Sequence, residues 1–467
     1  MSGKRGNPDI STDGTAALFR RREVALLLGT ENVALLRGDP DTLERALNAA
    51  DDDPDPEIRA IRQALSRPLD SLPSADRPAI AQLNIGNTTR CNMRCSYCYN
   101  ALPAKEGDRG ASDMTPELAR VAVDALLANA AELDEVGLVF IGGESLLQRA
   151  LLEETVAYAD RRCRARDKGL GVVVYTNGVL MDRDVIEWAN DTNTSLVVSL
   201  DGPPALHDRH RVFPSGKPTS SAVLKNIELL VTHGEDPMRR VRAVATTGEA
   251  LLPLHQYLYD LGFNDIHVQP AYGPTGYEGR DELPDLQALA AWYRSLLLAG
   301  VVINITPIAP VLERLRLRGA SVLNWYPCNA GFSGLGVDGN GDLYPCHHFF
   351  GEQHHRLGNI RDGIPGAASR TACFRSVVDR EACRGCWARH LCGGECYHRT
   401  VTGGHGYAGT VEEWCEVKRA LIEEALDLFS VVAERRPHVL EELLDLDLTV
   451  PPVNTHAYSL EDLELYL

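Results

Sequence analysis

Thr88 to Asn100 reads TTRCNMRCSYCYN, and its cysteines Cys91, Cys95 and Cys98 follow a C-x3-C-x2-C spacing. The stretch comes directly after an apolar, strand-like segment, Ile80 to Ile85. Three thiolates on a short loop can hold three irons of a [4Fe–4S] cube and leave the fourth iron open to chelate a small molecule. A zinc knuckle is the competing chemistry, because closely spaced cysteines also suit a tetrahedral ion.

The bulk composition narrows the possibilities. A chain of 467 residues is long enough for two or three domains with a substantial core. Asp and Glu number 65 against 47 Lys and Arg, a net charge of −18, which disfavours the phosphate-neutralising surface that nucleic-acid binding needs. No apolar run approaches the ~20 residues that span a bilayer. The N-terminal MSGKRGNPDISTDG lacks the apolar core of a secretory signal. Twelve cysteines without such a signal argue for thiolate ligands in a reducing cytoplasm rather than a disulfide framework, and for sensitivity to oxygen.

Glu23 to Leu36 reads as two short strands around a Gly-Thr-Glu-Asn turn, with Asp41 as the N-cap of a following helix. DDDPDPE at 51–57 is a turn or linker, and the Pro- and Ser-rich RPLDSLPSADRP ends near Pro78, where we place a domain boundary. Beyond it, strand-like segments (VGLVFIG, GVVVYTNG, SLVVSLDG, RVRAVATT, DIHVQPA) alternate with amphipathic helices. With the first strand they make six βα units, an open or partial barrel whose chemistry belongs at the C-terminal ends of the strands. No solenoid-type repeat is present. From Asn324 to about Gly404 the sequence is rich in Gly, Cys and His, and LGVDGNGDLYPC reads as a β-hairpin turned by Asp-Gly-Asn-Gly. A helix over Glu412 to Arg435 carries Val417, Leu421, Ala425, Leu428 and Val432 on one face. A Pro-Pro pair at 451–452 and an acidic tail finish the chain.

Three further segments close successive strands: Gly142-Gly143-Glu144, Thr176-Asn177-Gly178 and Ser199-Leu200-Asp201-Gly202. Glycines at a strand end let backbone approach a ligand, and a carboxylate there can accept from an ammonium group. Together with the triad and Tyr97 before its last cysteine, these segments resemble the radical S-adenosylmethionine (radical SAM) family. Ser145 stands where the family usually has proline. The resemblance implies that the open iron binds the amino and carboxylate groups of SAM, and that one electron releases a 5′-deoxyadenosyl radical. It implies SAM contacts from Tyr97, Gly142, Gly143, Glu144, Asn177 and Ser199, with Arg211 of LHDRHR on the SAM carboxylate. Gln269, on the sixth strand, is expected to face the barrel mouth and touch adenosine or substrate. Asp201, His207 and Asp208 read equally well as turn and cap residues.

The later cysteines have an order of their own: Cys328-x12-Gly341-x4-Cys346, then Cys383-x2-Cys386-x5-Cys392-x3-Cys396, then Cys415. That order resembles the SPASM domain of radical SAM peptide and protein maturases, which implies two auxiliary [4Fe–4S] clusters and three clusters in all. The implied outer ligands are Cys383, Cys386, Cys392 and Cys415; the inner ones are Cys328, Cys346 and Cys396, with Cys373 as candidate fourth. A zinc ribbon would need only four of the seven. Cys163, inside a helix, reads as structural. The resulting expectation is an α/β chain with an N-terminal α+β domain (1–78), a partial (β/α)6 radical SAM barrel (79–300), a SPASM domain (320–435) and a tail (436–467).

In the resembled group, sulfatase maturases place an acidic base directly after the cysteine corresponding to Cys346. This chain has His347 there, in YPCHHFF, and a neutral imidazole is also a proton acceptor. His347 and His348 serve equally well as donors to cluster sulfurs. YPCH is similar to maturases of ribosomally made peptides, and strands followed by helices before the barrel resemble their winged-helix leader-recognition module, where a leader adds a strand to a sheet edge. The implied activity is thioether or carbon–carbon crosslinking of a precursor peptide, with a flavodoxin or ferredoxin as reductant and no nucleic-acid or membrane partner. Formylglycine formation by a sulfatase-type maturase is the alternative. A non-catalytic iron–sulfur carrier or scaffold is the alternative of another class; it leaves the GGE, TNG and S-x-DG segments unexplained.

Overall fold

The structure is a computed structural model. It describes residues 10–12, 16–20, 25–66, 79–101, 113–246, 250–271, 283–317 and 324–445. The expected connector over 67–78, with its boundary, and the acidic tail with Pro451 and Pro452 lie outside the described residues.

The N-terminal module is an antiparallel sheet in the order β1 (Ile10–Thr12), β2 (Ala16–Arg20), β3 (Ala25–Gly29), β4 (Leu35–Gly38), followed by helices Pro40–Asn48 and Pro56–Ser66. β3 and β4 are the two strands expected from the sequence; β1 and β2 are additional. β2 escapes a period-two reading because Ala16 to Phe19 are all buried, one set against each face of the sheet. Ala16, Leu18 and Leu27 meet Leu43, Leu47 and Ile58 of the helices. Ala17, Phe19, Leu26 and Leu28 instead join the main core. The first helix is capped by Asp39, whose side chain accepts from Thr42 N at 2.8 Å, and not by Asp41, which lies within the first turn. Pro40 at the first helical position explains the shift, since its fixed φ starts the helix without a donor to satisfy.

The barrel strands are β5 (Gln82–Ile85), β6 (Glu135–Phe140), β7 (Gly169–Thr176), β8 (Thr194–Ser199), β9 (Arg240–Ala245) and β10 (Asp265–Pro270), all parallel and in sequential order. A short β11 (Asn304–Thr306) continues the series beside β10. Alternate residues divide between an outer core (Leu138, Val174, Val198, Ala243, Ile266) and an inner face holding Val139, Val173 and Val197.

The expected hairpin forms as β12 (Gly334–Val337) and β13 (Asp342–Tyr344), with β14 (Gly358–Asn359) beside it. It does not stand apart from the barrel. β12 pairs in parallel with β5, Leu335 opposite Leu83 and Val337 opposite Ile85, so the cysteine-rich region extends the barrel sheet at its first strand. After β13 the chain folds back over β12. A Cβ at Gly336 would lie 3.0 Å from the Cys346 carbonyl carbon and 2.7 Å from the Phe350 ring.

The helix Glu412–Arg435 buries the apolar stripe read from its sequence and packs on the helix Leu283–Leu298, joined by an Arg294–Asp427 ion pair of 2.6 Å. The segment after 435 begins as a second helix, Pro437–Asp445, that buries Val439, Leu440 and Leu443. Among the described residues, no helix is long and apolar enough to cross a membrane.

The N-terminal sheet docks on the cysteine-rich region through Phe19, edge-on to Trp387 at 4.9 Å, and through Glu31, which pairs with Arg389. Phe19 is fully buried, so Phe19→Ala is expected to cost about 3–5 kcal/mol. Calorimetry should show an earlier transition and limited proteolysis should release the first ~66 residues, the extent of the described module. An unchanged transition would show that this contact does not hold the module in place.

Candidate active site

The triad loop is braced on both sides. On one side, Gly143 N donates to Thr88 O at 2.9 Å and Glu144 N to Arg90 O at 2.8 Å. On the other, Arg94 N donates to Val212 O at 2.8 Å and Ser96 N to His210 O at 3.1 Å. A Cβ on Gly143 would stand 2.0 Å from the Arg90 carbonyl oxygen, and one on Gly142 2.7 Å from that of Thr88. What a side chain at these glycines would strike is the backbone leading into Cys91.

Glu144 is buried and held by protein donors: Leu146 N at 3.1 Å, Thr176 Oγ1 at 2.8 Å and Asn177 N at 2.7 Å. It ties the end of β6 to the end of β7. Burial raises its pKa, against which those hydrogen bonds act. The carboxylate expected to meet the SAM ammonium thus also braces the scaffold. Asn177 continues the link, its Nδ2 donating to Asn92 Oδ1 at 2.7 Å and lying 3.8 Å from Cys91 Sγ.

Asp201 is the residue that the sequence undersold. Buried beyond β8, it accepts from the Tyr97 hydroxyl, from Arg211 Nε at 2.9 Å and from Val244 N at 3.0 Å. The Arg211 guanidinium also lies 5.5 Å from the Tyr97 ring centre. Tyr97 and Arg211, both expected to bind cofactor, are first of all the clamp fixing the triad loop to β8 and β9. The S-x-DG motif was the available signal; which groups its carboxylate meets is decided only by the fold. His207 supports the clamp, its Nδ1 accepting from Asp201 N at 3.3 Å. Burial, aided by the Arg211 charge, lowers its pKa to about 4, so the ring is a neutral acceptor at pH 7. Ser199 and Gln269 are half-buried at the C-terminal ends of β8 and β10.

The later cysteines fall into two sets. Cys328 is raised to about 12 by burial and then by Cys396, and Cys346 is raised by burial and then by Cys328 and Cys396. Cys383 is raised to about 11 by burial and then by Cys392, with Cys386 also contributing; Cys415 is raised to about 12 by burial and then by Cys392, with Cys383 contributing. Cys95 of the triad is likewise pushed to about 11, chiefly by burial. Thiols brought together in this way suit metal ligation, because a bound metal deprotonates them outright even where burial disfavours the free thiolate. Among the described residues, no three His, Cys, Asp or Glu side chains converge to hold a single metal ion. Cys373, the candidate fourth inner ligand, is set against the Tyr407 hydroxyl and packs on the same aromatic cluster as Cys346.

His347 and His348 begin the turn after Cys346. The Tyr99 ring, next to Cys98, lies 6.0 Å from that of His347 and 4.5 Å from that of His348. The two loops thus meet at the barrel mouth through aromatic contacts.

Residues 87–251 match the radical SAM superfamily. The chain is 25% identical over 356 residues to the serine-type anaerobic sulfatase-maturating enzyme of Bacteroides thetaiotaomicron, covering 68% of this chain and 83% of the relative. It is 24% identical over 336 residues to the cysteine-type enzyme of Clostridium perfringens, covering 68% and 89%. Among solved structures, anSMEcpe with bound AdoMet superimposes with a TM-score of 0.63 at 21% identity, covering 76% of this chain and 99% of that one. SuiB of Streptococcus suis bound to S-adenosylmethionine gives 0.50 at 15% identity, covering 86% and 98%. The superfamily implies a [4Fe–4S] cluster and SAM as cofactors.

Gly143→Ala tests the brace. A backbone oxygen cannot rotate out of the way of the new methyl, so the loop must move. The variant is expected to keep its circular dichroism, lose about four irons and lose SAM cleavage. Gly366→Ala is the control, since a Cβ there meets nothing within 4 Å. Full iron content in the Gly143 variant would show that the loop is not held this way. From the matched domain, the fold shared with its neighbours and the grouped cysteines that follow the barrel, the chain is a radical SAM enzyme with a SPASM-type C-terminal region.

Proposed function

We propose that this enzyme is a peptide maturase that installs a thioether or carbon–carbon crosslink in a ribosomally made precursor. The observation that carries the proposal is the meeting of the triad loop with the Cys346 loop: Tyr99 packs against His347 and His348, so an imidazole stands where the two loops meet. A peptide substrate is supported by anSMEcpe, solved with bound AdoMet and the Cp18Cys peptide at a TM-score of 0.63. The N-terminal sheet, docked directly on the cysteine-rich region, suits recognition of a leader peptide as an added strand.

With SAM and three clusters bound, the site supplies a 5′-deoxyadenosyl radical to remove a hydrogen atom and an acceptor for the surplus electron. Cys91, Cys95 and Cys98 hold the first cluster; Cys328, Cys346 and Cys396 the inner auxiliary one; Cys383, Cys386, Cys392 and Cys415 the outer. The Gly142–Glu144 backbone holds the SAM amino group. Arg211, anchored through Nε on Asp201, offers the rest of its fork to the SAM carboxylate. Ser199 and Gln269 orient the nucleoside, and His347 takes the proton that crosslinking releases. A flavodoxin or ferredoxin serves as reductant.

Formylglycine formation is the second reading, favoured by sulfatase-maturating relatives at 23–25% identity. His347 in place of the acidic base weighs against it. Anaerobically reconstituted enzyme should carry about twelve irons. A precursor peptide encoded beside the gene should lose two hydrogens per crosslink, gain no oxygen, and fragment poorly between the joined residues. His347→Ala should slow product formation by about 10²-fold or more while iron content holds. Hydrazide-reactive aldehyde in a sulfatase-type peptide would establish the second reading instead.

A further inference from the structure

Two arginines of the cysteine-rich region are fully enclosed, and they differ in one respect. Arg370 is satisfied by carbonyls at every nitrogen position: Nε by Gly331 at 3.1 Å, Nη1 by Pro365, Nη2 by Phe332 at 3.5 Å. It is a clamp for the surrounding backbone. Arg380, at 0% exposure, donates from Nε to Arg375 O at 3.1 Å and from Nη1 to Glu395 O at 3.3 Å. Its Nη2 is buried with no hydrogen-bond partner among the described residues. No described carboxylate pairs with it either: Glu395, whose carbonyl it touches, turns its Oε1 to Cys396 N at 2.9 Å and to Arg399 at 3.8 Å. Tyr397 offers the guanidinium its ring face, 4.7 Å away, and its hydroxyl, but no negative charge. A buried cation left in this state is costly, and proteins retain one where an anion completes it.

The surroundings of Arg380 belong to both auxiliary sets of thiols. Its carbonyl accepts from Cys383 N at 3.1 Å, which fixes it to an outer ligand. Its side chain lies on the Gly393–Glu395 loop, which runs from outer Cys392 to inner Cys396: a Cβ on Gly394 would stand 3.0 Å from Nη1.

We propose that Arg380 is the shared counter-cation of the two auxiliary sites. Its fixed charge stabilises the negative charge of both thiolate-ligated clusters, most in their reduced forms, and Nη2 donates to a sulfur of one of them. Arg380 is therefore a positioning and tuning residue that holds both reduction potentials above what the cysteines alone would give. This rests on the reading that the seven later cysteines carry two clusters.

The test uses the full chain with Cys91, Cys95 and Cys98 replaced by Ala, so that only auxiliary clusters are observed. This parent should hold about eight irons; about four would reject the two-cluster reading, and the proposal with it, before Arg380 is touched. Redox titration followed by electron paramagnetic resonance is then compared in Arg380→Gln and Arg380→Lys. Gln, which removes the charge, is expected to move both midpoints to more negative potential or to lose iron from the auxiliary sites. Lys, which restores the charge without the fork, is expected to return the midpoints towards the parent and keep the iron. Midpoints that stay in place in the Gln variant would overturn the proposal, as would a Lys variant no better than Gln.

Discussion

The site depends on one close approach of two backbones. The carbonyl of Arg90, the residue before the first ligand cysteine, occupies the space that a side chain at residue 143 would need. Because both partners are backbone, the fit admits no side-chain adjustment, and the loop is fixed relative to β6 by Gly143 N and Glu144 N. Glu144 carries the constraint on to β7 through Thr176 and Asn177, and Asp201 carries it from Tyr97 to β8 and β9. Ends of four parallel strands are thereby locked around three thiols. A radical intermediate tolerates little misplacement of its target, and such preorganisation is what a scaffold contributes to chemistry supplied by a cofactor.

Much of this was legible in the chain itself. Barrel strands buried on both faces read as nearly continuous apolar runs, such as VGLVF and SLVVS, and each ends in a glycine-bearing segment. The cysteine spacings likewise show in sequence because thiol ligation demands fixed residue types at short intervals. Pairing between distant strands does not. Nothing local to Gly334–Val337 specifies that it lies beside Gln82–Ile85, and only that register brings Cys346 and His347 to the barrel mouth. Asp201 was hidden for a similar reason: an Asp-Gly pair suits any turn, and its three partners come from three segments of the fold. The contacts that Leu146, Thr176 and Asn177 make to Glu144 were hidden in the same way, since its local pattern names none of these partners.

The N-terminal module and the cysteine-rich region form one packed unit rather than beads on a linker. Phe19, Leu26 and Leu28 share a core with barrel residues and with the helix Glu412–Arg435. Trp387 and Arg389, which meet Phe19 and Glu31, lie between Cys386 and Cys392. Arg37 of β4 adds an ion pair to Glu434 at 2.7 Å. A strand added to the N-terminal sheet would therefore load a surface that continues into the backbone bearing outer-set cysteines. In the function we propose, that continuity is the physical route from leader recognition to the site.

The central claim is that a side-chain carbon of a bound peptide gives up a hydrogen atom within this barrel. The most direct measurement is the isotopic composition of 5′-deoxyadenosine released from unlabelled SAM when the precursor peptide is deuterated at its non-exchangeable side-chain positions. One deuterium in the released nucleoside, in step with crosslinked peptide, is the expected result. Nucleoside free of deuterium while crosslinked peptide accumulates would contradict the claim.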